Sequence, residues 1–204
     1  MATPIVMFAN QKGGVGKTTT TALCAMAYAA ANFRVGIRDV DPQASSTHLL
    51  TLPAFAQSKN VAQALPGQTD FDITLVDCPP SITHTGFQGL LPSAALIVLV
   101  TSSDPLDLVT TAQSYADIVR RVPAEKIYLL INRFEKGRKL CASLSSHLEV
   151  MGLGKVARLN TMLHRCEDYK RAVLHGWQEI TDSDKREAVH ILASEIFKIA
   201  KRNS

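Results

Sequence analysis

Residues 12–19 read Lys-Gly-Gly-Val-Gly-Lys-Thr-Thr, and they follow the apolar run Ile5-Val6-Met7-Phe8-Ala9. Glycines at this density let backbone N–H groups converge on an anion, and a helix start behind them adds the positive end of its dipole. The usual pattern is G-x-x-x-x-G-K-[ST], in which the lysine reaches the β- and γ-phosphates of a nucleotide and the hydroxyl ligates Mg²⁺. Gly16-Lys17-Thr18 keeps the second half of that pattern, Gln11 stands where its first glycine belongs, and an additional lysine, Lys12, follows. Gly13, Gly14, Val15, Gly16, Lys17, Thr18 and Thr19 are therefore the expected phosphate cradle, with Thr18 as direct Mg²⁺ ligand.

Two carboxylate clusters come next. Asp39-Val40-Asp41-Pro42-Gln43 and Asp77-Cys78-Pro79-Pro80-Ser81 each follow a short β-rich run. Alone, such aspartates are commonly turn or N-cap carboxylates; behind a phosphate loop they become candidates to orient a metal's water shell and a nucleophilic water.

These groups need a scaffold that brings strand ends together. Short apolar runs at 4–9, 34–39, 72–77, 95–101, 126–132 and 155–159 alternate with helical segments, the first of them at 18–31. Leu96-Ile97-Val98-Leu99-Val100 shows no polar alternation, as parallel strands covered on both faces require. The expected fold is α/β, a doubly wound, mostly parallel sheet flanked by helices, with ligands at the carboxyl ends of the strands. Residues 51–69 carry Pro53, Pro66 and Gly67 around one short helical patch expected near 61–65. The 204 residues suggest one domain spanning 1–204.

KGGVGKTT resembles the deviant Walker A box of the ParA/MinD superfamily of ATPases, and the match extends to the DxDPQ switch at 39–43 and the D-x-P-P-S strand end at 77–81. The DxDPQ form points to the ParA, or partition ATPase, branch. This resemblance implies a P-loop NTPase fold of the deviant type, ATP and Mg²⁺ as cofactors, and slow, partner-stimulated hydrolysis of ATP. It makes Lys12, Lys17 and Asp41 catalytic, with Lys12 reaching across a homodimer to the nucleotide held by the partner. Asp39 and Asp77 would lie in the outer shell of the metal. Asn132 stands where the family places an adenine-reading asparagine, a position a strand-end cap would also fill. Asp104-Pro105-Leu106-Asp107 resembles a loop near the dimer interface, although Pro105 in a first turn with acidic neighbours is an ordinary helix start as well. Nothing precedes the first strand, so the N-terminal DNA-binding extension of some relatives is not expected.

Charge separates the remaining possibilities. Residues 1–132 hold 8 Lys/Arg against 9 Asp/Glu and residues 133–204 hold 14 against 9, a balance of −1 and then +5. A basic last third fits a polyanion partner, and equally a solvated basic face. Residues 187–202 form a helical pattern with Val189, Leu192, Ala193, Ile196, Phe197 and Ala200 on one side and Lys198, Lys201 and Arg202 on the other. That edge could touch DNA phosphates, end a membrane-surface helix, or lie in water. Arg165, Lys170 and Arg171 form a second basic group with the same options. No apolar run reaches membrane-spanning length and no signal peptide is evident. Cys24, Cys78, Cys141 and Cys166 have neither metal nor redox-motif spacing and read as reduced thiols, with Cys78 either a small core residue or a redox site.

The expected function is an ATP-dependent partition or positioning ATPase, cytoplasmic and nucleoid-associated. Its ATP dimer would bind nonspecific DNA and be released when a ParB-like adaptor stimulates hydrolysis. The alternatives are a MinD-like membrane-cycling regulator and a positioner of a protein organelle such as the carboxysome. No stable membrane association is expected. Other users of the deviant loop fit poorly: there are no paired cysteines for an iron–sulfur cluster and no C-terminal tyrosine cluster, since the last tyrosine is Tyr169.

Overall fold

The computed structural model describes residues 3–40, 50–56, 58–81, 84–137 and 142–204, without the side chain of Asp39. Asp41, Pro42, Gln43 and Cys141 lie outside the described residues.

Seven strands form one sheet: β1 Ile5–Ala9, β2 Val35–Asp39, β3 Val61–Gln63, β4 Ile73–Asp77, β5 Leu96–Thr101, β6 Ile127–Ile131 and β7 Ala157–Arg158. Their order is β3-β2-β4-β1-β5-β6-β7, and every pairing between neighbours is parallel. All five residues of β4 and all six of β5 are buried, because helices cover both faces and leave no side for polar alternation. From β1 the chain runs to β2 and β3 on one side, returns to β4 between β2 and β1, and then crosses to β5, β6 and β7 on the other side. The crevice for a ligand therefore opens beyond the carboxyl end of β1, where the direction reverses.

One face is covered by α1 Lys17–Ala30, α6 Glu167–His175 and α7 Ser183–Arg202; the other by α3 Thr85–Leu90, α4 Pro105–Ile118 and α5 Leu144–Val150, while α2 Pro53–Ala56 is a single turn against α6 on the first face. Thr20 through Tyr28 of α1 are all buried, which explains its run of alanine and threonine: the helix is packed on most sides and small residues allow close approach. Tyr28 closes its end by donating from Oη to Ala193 O at 2.7 Å and by tilted ring contacts with Phe33 and Phe197. The apolar stripe Val189, Leu192, Ala193, Ile196 and Ala200 of α7 is buried in this layer.

Two expectations are corrected. The helical patch near 61–65 is instead the edge strand β3, paired to β2 with Val35 opposite Val61. Its Ala and Gln favour helix locally, but Val35 N–H donates to Asn60 O and Ala64 N–H to Ile37 O, and the open edge of β2 outweighs a weak propensity. The last helix also begins earlier than 187, at Ser183, because Asp182 caps it by accepting from Asp184 N and Lys185 N.

Candidate nucleotide-binding site

β1 delivers the loop to the crevice and α1 begins at Lys17, so the glycines occupy the space between a strand end and a helix start. Gly14 and Gly16 have φ of 77° and 99°, the left-handed region where a side chain is strained. Gly16 has a second reason: a Cβ there would run into the Asn132 amide. Gly13 and Gly14 leave open space at that position, which admits an anion close to the backbone. Val15 is buried and anchors the loop.

The two lysines are placed differently. Lys17 is only 7% exposed, and its Nζ donates to Asn10 O at 3.0 Å and Lys12 O at 3.1 Å. These carbonyls hold the ammonium at the centre of the loop. Lys12 is half-buried and lines a separate recess of about 330 Å³ with Ser102, Ser103, Asp104, Leu106, Asp107, Arg133, Glu135 and Arg165. The cleft beside Gly16 and Thr19, about 200 Å³, is bounded instead by Asn132, Arg133, His164, Arg165, Cys166, Glu167, Tyr169 and Lys170.

Thr18 Oγ1 donates to Asp77 Oδ2 at 2.6 Å, which brings a hydroxyl and a carboxylate oxygen together at the foot of the loop. Asp39 pairs in register with Asp77 across β2 and β4, so both strands end at this point. A glycine cradle with open space above it, a central ammonium and two adjacent hard oxygen donors fit a Mg²⁺-bound polyphosphate, since Mg²⁺ takes few protein ligands and completes its shell with phosphate and water. Among the described residues no group of three or more His, Cys, Asp or Glu could hold a metal by itself.

Asn132 closes the loop from the side of β6. Its Nδ2 donates to Val15 O at 2.8 Å and its Oδ1 accepts from Arg133 N at 2.9 Å, so this residue braces the loop and borders the cleft at once. Arg133, the next residue, has a positive φ of 54°. Burial pushes the Tyr169 phenol well above its usual range, and Cys166, Asp182 and Asp168 add to the rise. The Tyr169 Oη donates to Lys185 O at 3.1 Å, tying α6 to α7 behind the cleft.

The basic residues fall into two groups. Arg165 lies 3.3 Å from Glu135, Lys170 3.2 Å from Glu167 and Arg171 2.5 Å from Glu179; the first two line the clefts around the loop. Lys198, Lys201 and Arg202 are exposed. Lys201 lies over the Phe197 ring at 5.8 Å and Arg202 donates to Tyr128 Oη at 3.2 Å. Tyr128 is near the start of β6, so this trio sits at the amino ends of the strands, across the molecule from the loop.

Sequence reading passed over Asn10, Thr111 and Ser114. Asn10 is fully buried and donates from Nδ2 to Val100 O and Thr111 Oγ1, both at 2.8 Å. The available signal was an asparagine closing an otherwise apolar strand.

The CbiA family model, described as the CobQ/CobB/MinD/ParA nucleotide binding domain, matches residues 6–176. The Maintenance of carboxysome distribution protein A of Halothiobacillus neapolitanus is 28% identical over 182 residues, covering 82% of each chain. Among solved structures, an ATP complex of Cyanothece McdA superposes with a TM-score of 0.71 at 15% identity, covering 96% of both chains. The Pyrococcus horikoshii septum site-determining protein MinD with Mg-ADP gives a TM-score of 0.71 at 19% identity, covering 99% of both. These superpositions show the P-loop NTPase fold, and the chain belongs to the CobQ/CobB/MinD/ParA nucleotide-binding domain family.

Proposed function

We propose that the protein is a ParA-type ATPase, one domain over residues 1–204, that hydrolyses ATP slowly and uses the cycle to position a cargo. The observation that carries this reading is the division of labour between the two lysines: Lys17 turns inward onto the loop carbonyls, whereas Lys12 borders an outer recess. A lysine of the phosphate loop placed there suits a nucleotide held by a second copy of the chain.

ATP is the substrate. The loop amides of Gly13–Thr19 bind its phosphates, and Lys17 neutralises charge building on the γ-phosphate. When bound, Mg²⁺ would supply charge withdrawal at the phosphates. Thr18 would hold it directly, and Asp77 and Asp39 would orient the waters around it. Asp41 positions the water that attacks the γ-phosphorus in line with the departing ADP. Lys12 of the other subunit stabilises the same charge in trans, so ATP stabilises the homodimer through interactions that hydrolysis removes. Asn132 borders the base.

We assign nonspecific DNA binding to Lys198, Lys201 and Arg202, because they stand exposed without carboxylate partners among the described residues, away from the nucleotide. Arg165 and Lys170 line the clefts around the loop and are assigned to the nucleotide end. The dimer would be nucleoid-associated in the cytoplasm and released by a ParB-like adaptor. The similarity to a carboxysome distribution protein supports a protein body as cargo beside the plasmid or chromosome. Membrane cycling is the weaker reading, since the apolar stripe of α7 is buried against the sheet and α1. No helix among the described residues is long and apolar enough to cross a membrane.

The test is DNA binding by the purified protein with ATP, ADP or no nucleotide at two salt concentrations, beside Lys12→Ala. Binding that needs ATP, weakens with salt and is lost in Lys12→Ala is the expected result. No binding with any nucleotide overturns the DNA assignment and makes liposome binding the next experiment.

A further inference from the structure

Lys12 is held by hydrogen bonds that do not involve its own side chain. Its N–H donates to Asn10 Oδ1 at 2.9 Å and its carbonyl accepts from Lys17 Nζ. The residue before it is fastened to α4: Gln11 N–H donates to Ser114 Oγ at 3.1 Å, and Gln11 Nε2 to Asp117 Oδ2 at 3.2 Å. Asn10 reaches the same helix through Thr111 Oγ1, whose hydroxyl lies 2.8 Å from Thr101 Oγ1. Asn10, Thr101, Thr111 and Ser114 are all buried. A buried polar network of this kind holds one arrangement, because a displaced member leaves partners unsatisfied away from water. It also accounts for Gln11 at a glycine position: the backbone there is not left-handed, since Asn32 and Arg133 are the positive-φ non-glycine residues among those described, and a side chain is needed to reach Asp117.

The geometry points to Asn10, Gln11 and Ser114 as positioning residues for Lys12, fixing it to α4 so that it is presented to the nucleotide of the second subunit. This inference rests on the trans role of Lys12. It implies that the three residues act on dimerisation and hydrolysis through Lys12, and leave ATP binding by the monomer largely to the glycines, Lys17 and Thr18.

Ser114→Ala removes the acceptor of Gln11 N–H with little change in volume; Gln11→Ala, at a half-buried position, is the second variant should the first fold poorly. For each, ATP affinity is measured by fluorescent-nucleotide displacement at protein concentrations below dimerisation. Dimerisation is measured by sedimentation with a nonhydrolysable analogue, and both are repeated in a Lys12→Ala background. The expected result is monomer affinity within about twofold and dimerisation weakened about tenfold, the scale of one lost hydrogen bond. In the Lys12→Ala background, at protein concentrations high enough for its weakened dimer to form, the added effect is nil, since residues acting as a unit are not additive. The inference is overturned by unchanged dimerisation, by a monomer affinity that falls as far as dimerisation does, or by an effect that persists in full without Lys12. Wild-type protein that stays monomeric with ATP refutes the trans reading itself, and this inference with it.

Discussion

Gly16→Ala is the substitution whose cost can be worked from named neighbours. Gly16 has φ 99° and ψ 24°, and holding an alanine in that left-handed region costs roughly 1–2 kcal/mol. Its Cβ would also collide with the Asn132 amide. Displacing that amide breaks the 2.8 Å bond from Nδ2 to Val15 O, and a buried group left without its partner costs about 1–3 kcal/mol. The two together give about 3 kcal/mol, or roughly 6–12 °C in Tm for a chain of this size. The steric half vanishes if the amide is removed first. Asn132→Ala alone should therefore cost about 1–3 kcal/mol, and the double variant should be more stable than the sum by the same lost-bond cost, about 1–3 kcal/mol. Urea unfolding of wild type, both single variants and the double variant closes the cycle. Additivity within about 0.5 kcal/mol would refute the claim that Asn132 and Gly16 form one braced unit.

Asp77→Asn keeps a side chain for Thr18 to bond but removes the charge beside it, so Mg²⁺-dependent turnover should fall at least a hundredfold while Mg²⁺-free nucleotide binding stays within a few fold; equal losses in both would argue against a metal role. Replacing Lys198, Lys201 and Arg202 by alanine should flatten the log–log salt dependence of DNA affinity by about 2–3, near 0.9 for each phosphate no longer neutralised; an unchanged slope would place DNA elsewhere. The hydrogen bond from Lys185, with the amides of Lys185 and Asp184, holds the Asp182 carboxyl below its ordinary value of 3.8. Because the folded value is the lower one, the stability it contributes is present above pH 3.8 and is lost as pH falls through the folded value. Asp182→Asn should thus differ from wild type progressively less as the solution is acidified, and a pH-independent difference would contradict this. Burial pushes the Cys24 thiol up to about 12, so alkylation of native protein at pH 8 should mark the half-buried Cys166 well before Cys24; equal rates would show that α1 opens readily.

The parallel sheet was legible because its strands are uniformly apolar: a run such as Leu96–Thr101 has no polar alternation to mislead. The phosphate loop was legible because glycine at positive φ and the Lys-Thr pair have few substitutes. β3 was not, since its three residues are strand only by virtue of the β2 edge, and that edge is distant in sequence. The brace at Asn132 and the network at Asn10 were hidden for a related reason. Each joins groups about 90 to 117 positions apart, and no local pattern records which strand end will face which loop. The basic side chains showed the reverse: their identities were plain, but only the fold separates Arg165 and Lys170 at the loop from Lys198, Lys201 and Arg202 across the sheet.

The central claim is that each nucleotide is completed by the Lys12 of the other subunit. Mixing Lys12→Ala protein with Asp41→Ala protein tests it directly, with ATP turnover measured against each variant alone. In a mixed dimer, the Lys12→Ala subunit keeps Asp41 and its own phosphate loop, and its partner supplies an intact Lys12. Both variants should be nearly inactive separately, and the mixture should recover up to about a quarter of wild-type turnover, since half of randomly paired dimers are mixed and each holds one complete site of two. A mixture no more active than its components, under conditions where sedimentation shows that mixed dimers form, would mean that Lys12 acts within its own subunit and would contradict the account.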